Sequence, residues 1–442
     1  MAEKRTLEEE SLTIDSNPID EVVQLYISHV LKNINDSDPK FLNGVINYCN
    51  DFLIARENST VKKQKTDDKF SSEYKFFGSL VSVYALSLSK LSQFINKNED
   101  DDEGDHDYEK MFKNIADVYE NSNEFIELGF KTTTDKASIN YKLLNFVKAS
   151  VNLQKVANYF LGKEMVSHYE FDEHIKEEIS KKEILNIFKN NWTIVEESLN
   201  NLIEESKKFK DTEFCIAEFI SVIVPDTLQT MHVIIDSSET LGSDTKEKIL
   251  DEGVDEDHDF TVVKELPKKH PLSDLHAEII ENESKYVVEL RNMFIECNTL
   301  LEEFSLEIPD EATSENIEDD AEEGIQNLTK QNIIPLRLEN LRSIGDYFLK
   351  ELDNVNTSEK TMETLLKQNG VYMSKLYQLS ESPDDWVIYS ESLIQLSALN
   401  EDNKKVQDKL LKKAMKLLQK ANRVSNGKYD DFIESLEEDL AE

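Results

Sequence analysis

Residues 18–54 read PIDEVVQLYISHVLKNINDSDPKFLNGVINYCNDFLI. Ile19, Val22, Val23, Tyr26, Ile27, Val30, Leu31 and Ile34 recur at intervals of three and four, the period of one helix face. Asp36 to Pro39 ends that pattern, and Pro39 can open a second helix because its fixed backbone angle suits a first turn. Phe41, Leu42, Val45, Ile46, Cys49, Phe52 and Leu53 then form a matching apolar face. Two amphipathic helices joined by a short polar turn make a helical hairpin.

The same texture continues outward. Helices are predicted near 71–96, 108–128, 137–161, 182–206, 212–236, 272–306, 335–353, 359–380, 385–399 and 404–424. Strict alternation is nearly absent, and the one candidate strand, FTVV at 260–263, is short and sits in acidic sequence. The chain is therefore expected to be all-α. The most apolar stretch, FCIAEFISVIVP at 214–225, contains Glu218 and ends at Pro225. It falls short of the ~20 residues a bilayer span needs and reads as a buried core helix.

Composition narrows the function classes. The 442 residues carry 50 Lys+Arg against 90 Asp+Glu, a formal net charge of −40. A nucleic-acid binder needs cations to neutralise phosphates, and a polybasic lipid grip needs the same, so direct DNA binding and membrane attachment are not expected. Gly at 11 and Pro at 8 fall far below average usage of roughly 7% and 5%, against β-barrels and glycine-rich nucleotide loops. Three cysteines, Cys49, Cys215 and Cys297, lie far apart and form no CxxC pair, which suits a reducing compartment.

Three acidic runs punctuate the helices: EDDDEGDHD (99–107), DEGVDEDHD (251–259) and DEATSENIEDDAEEG (310–324). Like charges repel and stay hydrated, so these are expected to be exposed or disordered insertions. The chain divides accordingly into a disordered tail (1–17), a helical-hairpin region (18–306) with acidic loops near 97–107 and 237–271, an acidic linker (307–333), and a C-terminal helical region (334–442).

The C-terminal region carries the clearest repeat. Trp386, Tyr389 and Leu393 lie on one helix face, and Ala414, Leu418 and Ala421 have the small-large-small spacing of a second. Together they resemble a degenerate tetratricopeptide repeat, about a dozen residues longer than the 34-residue standard. An ordinary helical hairpin in an irregular bundle reads the same way. On the second helix, Lys405, Lys409, Lys412, Lys416, Lys420 and Arg423 step by three and four into one stripe. A stripe of this kind is either a solvated outer face, paired with the acidic tail DDFIESLEEDLAE, or a contact for an acidic protein surface or RNA. No aromatic residue interleaves with it, which weakens the RNA reading.

Chemistry is sparse. The phosphate loop, GxGxxG, GxSxG and HExxH are all absent. His168 and His174, like His270 and His276, stand six apart, which does not place a pair on one helix face. The acidic runs fail the calcium-loop pattern, since His106 and Phe260 stand where glycine is needed. No catalytic, cofactor or metal residues are assigned, and the chain is expected not to be an enzyme.

Four stretches carry a family likeness: FLNGVINYCNDFLI (41–54), YALSLSKLSQFI (84–95), RLENLRSIGDYFLKELD (337–353), and ESPDDWVIYSESLIQL with KKAMKLLQKANRVSNGKYDDFIESL (381–396 and 412–436). In order and texture they resemble the fungal enhancer-of-translation-termination family, the negative regulators of a prolyl-hydroxylating 2-oxoglutarate- and iron-dependent dioxygenase. The resemblance implies tetratricopeptide- or HEAT-like helical repeats without enzymatic activity. It also implies a nuclear protein, with a cytoplasmic pool left open, that supports translation termination. Its expected partners are the dioxygenase and that enzyme's basic ribosomal-protein substrate, through which it would regulate translation and transcription. In place of the family's opening basic cluster stand Lys4 and Arg5, with Lys62, Lys63 and Lys65 as a substitute import signal. An acidic chaperone for histones or other basic proteins is the alternative that composition leaves open.

Overall fold

A computed structural model describes residues 18–32, 39–62, 75–95, 108–162, 181–208, 214–250, 266, 270–310, 328–353, 358–400 and 403–441. Among these residues there are fourteen α-helices and no strand. The candidate strand at 260–263, the first two acidic runs, and 311–324 of the third lie outside the described residues, as do the tail 1–17, Lys63, Lys65, His168 and His174.

The opening hairpin comprises α1 (Pro18–Lys32) and α2 (Lys40–Lys62). On α1, Val22, Val23, Tyr26 and Ile27 are fully buried, on the apolar face that the three-four spacing marks. Then come α3 (Phe77–Leu91), α4 (Tyr108–Thr132) and α5 (Ile139–Gln154), the last running on into a π-helical turn at Lys155–Leu161. In α6 (Lys181–Ser206), Ile184, Phe188, Trp192, Val195, Leu199 and Leu202 keep the three-four spacing and all face inward.

The centre is α7 (Phe214–Leu250). Its residues Ile216, Phe219, Ile220, Ile223, Val224, Leu228, Met231, Ile234 and Ile235 are buried on more than one side, as befits a helix surrounded by others. Tyr26 of α1 meets Phe219 edge to face at 5.4 Å. Lys90 of α3 pairs with Asp226 at 2.6 Å, and Thr227 donates to Ser150 of α5 at 2.9 Å. The segment Cys215–Glu239 is long and apolar enough to cross a membrane by length and composition, yet it forms the core here.

One sequence expectation changes at this helix. The helix predicted near 212–236 does run through Pro225, but it continues to Leu250, across the first part of the acidic loop expected near 237–271. Proline removes one helical hydrogen bond and clashes with the preceding turn. Buried side chains on both sides of it, Ile223, Val224 and Leu228, hold the helix in register across that position.

The helix expected at 272–306 is two: α8 (Ser273–Glu281) and α9 (Glu283–Glu307), parted at Asn282. The Asn282 backbone leaves the helical region at φ −114° and ψ 20°, while its amide and its side chain both donate to the Glu278 carbonyl, at 3.1 and 3.0 Å. The acidic tail is also helical. Beyond α9 lie α10 (Ile334–Leu352), α11 (Glu359–Leu379), α12 (Pro383–Ala398), α13 (Lys404–Val424) and α14 (Asp430–Ala441).

These last helices stack in two layers. Arg337 of α10 donates to Ser305 of α9 at 3.3 Å, and Arg291 near the other end of α9 pairs with Glu351, so α9 and α10 are antiparallel. Likewise Tyr377 of α11 meets Trp386 of α12, and Ser390 of α12 donates to the Ala414 carbonyl of α13. Contacts also skip one helix: Lys375 (α11) to Glu302 (α9) at 2.8 Å, Arg342 (α10) to Asp385 (α12) at 2.7 Å, and Lys420 (α13) to Tyr377 (α11) at 3.2 Å. Helices α9, α11 and α13 therefore form one layer and α10 and α12 the other, the arrangement of a helical-repeat array.

Among the described residues the buried apolar side chains form one cluster that reaches from Ile19 to Leu436. Residues on both sides of 311–327 belong to it. Ile308, Leu328 and Ile333 are buried, the Lys330 amide donates to the Pro309 carbonyl at 2.9 Å, and Lys330 pairs with Asp310 at 2.7 Å.

Candidate functional site

The helix α13 is built with two opposed sides. Asn403 caps its start, accepting from the Val406 amide. Leu411, Ala414, Met415, Leu417, Leu418 and Ala421 are buried. Its end is closed by left-handed residues, Asn426 at φ 54° and Gly427 at φ 88°, with the Gly427 amide reaching back to the Asn422 carbonyl at 3.1 Å. That turn sends the chain back as α14.

The residues of the repeat motif meet on the buried side. Trp386, Tyr389 and Leu393 of α12 and Ala414, Leu418 and Ala421 of α13 all lie inside. Ala414 and Ala421 carry no side chain beyond Cβ, so α12 and α13 approach closely enough for Ser390 to bond a backbone carbonyl of α13 at 3.0 Å. The Trp386 indole donates to the Ser380 carbonyl at 2.9 Å, and the Asp385 carboxylate receives two bonds from Arg342, at 2.8 and 2.7 Å, and a third from Ser380. The hydrogen bonds to Asp385 raise the guanidinium pKa of Arg342.

On the other side, Lys405, Lys409, Lys412, Lys416, Lys420 and Arg423 are all exposed. The row spans 18 residues, about 27 Å at 1.5 Å per residue. Among the described residues none of these six cations pairs with α14. Asp430 accepts from Asn422 at 2.7 Å, while Asp384 of α12 takes Lys428 and Tyr429. Hydrogen bonding to Asp384 raises the Lys428 pKa. Among the residues whose side chains are described, the acidic C-terminal helix therefore does not neutralise the stripe.

Sequence spacing did not foresee the aromatic groups beside the row. Lys420 lies 3.7 Å from the Trp386 ring centroid and 4.7 Å from that of Tyr377, while Lys413 lies 4.7 Å from Tyr389 and donates to its hydroxyl. Aromatic residues do adjoin the stripe, then, but they come from α11 and α12 and their faces are already covered by lysines. Only the tertiary fold brings them there, so no interval within α13 could signal it.

Three of the described histidines are engaged in packing. His29 is buried and its pKa is pushed down to about 3, chiefly by burial and then by the Lys90 charge. His232 Nδ1 lies 3.0 Å from the Tyr347 hydroxyl, and His276 Nδ1 lies 2.9 Å from the Ser238 carbonyl. Among the described residues no group of three His, Cys, Asp or Glu is placed to hold a metal ion. The three cysteines are buried, and burial raises each thiol pKa.

Comparison with known proteins gives one consistent result. The model of the family described as "Nuclear pore complex subunit Nro1" matches residues 3–437. "Enhancer of translation termination 1" of Scheffersomyces stipitis is 25% identical over 472 residues, covering 98% of this chain and 94% of its own. The protein of the same name from Saccharomyces cerevisiae S288c is 24% identical over 416 residues, covering 91% and 83%. The structure of the S. pombe nuclear import adaptor Nro1 aligns with a TM-score of 0.50 at 14% identity, covering 95% of this chain and 98% of that one.

A further Nro1 structure, described as that of a hypoxic regulator of sterol synthesis that is a nuclear import adaptor, aligns with a TM-score of 0.44 at 13% identity, covering 95% and 97%. These descriptions correct two expectations. The function framed around a ribosomal-protein substrate, and the ribosomal-protein partner itself, are withdrawn, because the solved relatives are described in terms of nuclear import and sterol synthesis. The histone-chaperone alternative has no counterpart in these descriptions and falls with them.

Proposed function

The chain belongs to the Nro1 family, described as a nuclear pore complex subunit, and on that premise we propose that it is a nuclear adaptor whose helical array carries a prolyl-hydroxylating dioxygenase. It is not an enzyme, in keeping with the family's description, and its nuclear location agrees with the same description. The observation that carries the adaptor reading is the two-layer stacking of α9 to α13. Contacts between alternate helices fix a rigid, extended surface suited to holding another protein. The naming of the S. pombe relative as a nuclear import adaptor supports the same reading.

Within it, we read the α12–α13 pair as a degenerate tetratricopeptide-like repeat, supported by Trp386, Tyr389 and Leu393 packing on a helix whose closest approach is at alanines. The acidic runs are hydrated insertions, on the ground of like-charge repulsion. We place the division at 307–333 within that array, between α9 and α10. The row from Lys405 to Arg423 is the partner-contact face. Any effect on translation termination, for which the curated relatives are named, is then exerted through what the adaptor carries.

The test is to remove the chain from its native cell and follow the tagged dioxygenase by microscopy. Loss of the enzyme from the nucleus is the expected result. An unchanged nuclear level would sink the adaptor reading.

A further inference from the structure

Resting on the adaptor reading, we infer that the cationic face of α13 docks an acidic, amphipathic α-helical segment of a partner protein, laid along α13.

The first ground is that the face stays open despite an abundance of carboxylates. The chain has 90 of them for 50 Lys+Arg. Elsewhere lysines close on acids: Lys142 on Glu205, Lys148 on Glu127, Lys189 on Glu278 and Lys207 on Glu303. Along α13, Lys405, Lys409, Lys412 and Lys416 make no ion pair or hydrogen bond among the described residues, although the acidic helix α14 follows directly.

The second ground is shape. One charge every three or four residues is a straight row with the same period as carboxylates on another helix, so cation and carboxylate can stay in register over five turns. Val406 and Val424, 38% and 58% exposed, stand on one edge of this row. They are 18 residues apart, about five turns, and so share a side of the helix. A partner helix with acids on one stripe and apolar residues beside it would meet both features.

The third ground concerns nucleic acid. Single-stranded RNA binds by stacking bases on open aromatic faces. Here the rings of Trp386, Tyr377 and Tyr389 are covered by Lys420 and Lys413. Five of the six cations are lysines, which lack the planar fork that arginine offers to phosphate. The charge of −40 does not forbid an acidic partner, since at physiological salt fields decay over about 8 Å and the local row governs contact.

The test uses the full chain and a fluorescein-labelled, alanine-rich helical peptide of five turns, with Glu at i, i+4 and i+7 spacing and Leu on the adjacent edge. Fluorescence anisotropy measures its affinity against that of a 15-nucleotide oligouridine. The triple variant K409E/K412E/K416E avoids the lysines stacked on aromatics. It should bind the peptide about tenfold or more weakly. The neutral triple K409Q/K412Q/K416Q should fall between it and the unaltered chain. A control reversing Lys131, Lys136 and Lys360 to Glu should bind as the unaltered chain does.

Equal binding by the two Lys409/Lys412/Lys416 variants and the unaltered chain, absence of peptide binding, or tighter binding of oligouridine than of peptide would each overturn the inference. These outcomes are read on purified components. They are independent of where the dioxygenase sits in the cell, so this inference and the adaptor reading can fail separately.

Discussion

The ammonium of Lys420 rests 3.7 Å from the ring centroid of Trp386, with Tyr377 on its other flank at 4.7 Å. One lysine thereby ties α13 to both α11 and α12. A cation over an aromatic face contributes about 0.5–1 kcal/mol at an exposed site. Lys420→Met should lower unfolding stability by that amount in a urea titration. Lys409→Met, at a position with no partner among the described residues, should change it by less than about 0.5 kcal/mol.

Trp386 itself should matter far more. Truncating a buried aromatic to Ala removes roughly 3–5 kcal/mol. Trp386→Phe keeps most of the packing and loses the bond to the Ser380 carbonyl, a change of about 1 kcal/mol. Urea midpoints of the two variants should differ accordingly. Limited proteolysis of Trp386→Ala should cut first between α11 and α14.

Arg342 and Asp385 join the two even-layer helices. Asp385 is 2% exposed and Arg342 is nearly half exposed. Arg342→Ala strands a buried carboxylate with Ser380 as its remaining partner and should cost about 1.5–3 kcal/mol. Arg342→Lys retains charge but not the two-pronged geometry, and should recover less than half of that loss. A double-mutant cycle with Asp385→Ala checks that the effect belongs to the pair.

Acid and base should strain different parts of the N-terminal region. Burial, then the nearby Asp20 charge, pushes the Glu218 carboxyl up from 4.5 to about 7. A raised acid favours folding while protonated, so its contribution is complete below about 4.5 and disappears as pH rises through 7. It is worth at most about 3 kcal/mol. Glu218→Gln should flatten this limb of a stability–pH curve. His29, held down from 6.5 to about 3, acts in the opposite sense. Its contribution is present above 6.5 and is lost as pH falls toward 3, so His29→Gln should soften the acid limb.

Glycines give a paired test. A Cβ at Gly78 of α3 would come within 2.9 Å of the Asn140 Cβ and 2.8 Å of the Thr133 hydroxyl, on the helix junction where Asn140 also accepts from Ser79. Gly78→Ala should therefore destabilise by about 1–3 kcal/mol despite the better helix propensity of alanine. At Gly345 the neighbour is the free end of Met373, which can swing aside. Gly345→Ala should fall within about 1 kcal/mol of the unaltered chain, in either direction, by thermal denaturation.

Most helices were legible because their apolar residues hold a strict period, as in Ile184, Phe188, Trp192, Val195, Leu199 and Leu202. The misreadings arose where tertiary packing overrides local preference. Residues 237–250 read as part of an acidic loop, but α7 continues through them to Leu250. Asn282 reads as one polar residue in a long helix, but its backbone leaves the helical region at φ −114° and ψ 20° and parts α8 from α9. The cationic row was legible as a periodicity in α13. Its aromatic border was not, because Tyr377, Trp386 and Lys420 meet only when three helices stack.

The tie between Lys330 and Pro309 has a practical consequence. Where the entry and exit of a segment are fastened to each other, the array on either side does not sense how long the intervening chain is. Lengthening such a segment twofold adds only about 0.6 kcal/mol of closure entropy. Positions 311–327 are thus a natural port of entry for a fluorescent reporter. A protein tagged there keeps both of its termini free and its α13 surface uncovered, and becomes a live-cell tracer of whatever it carries.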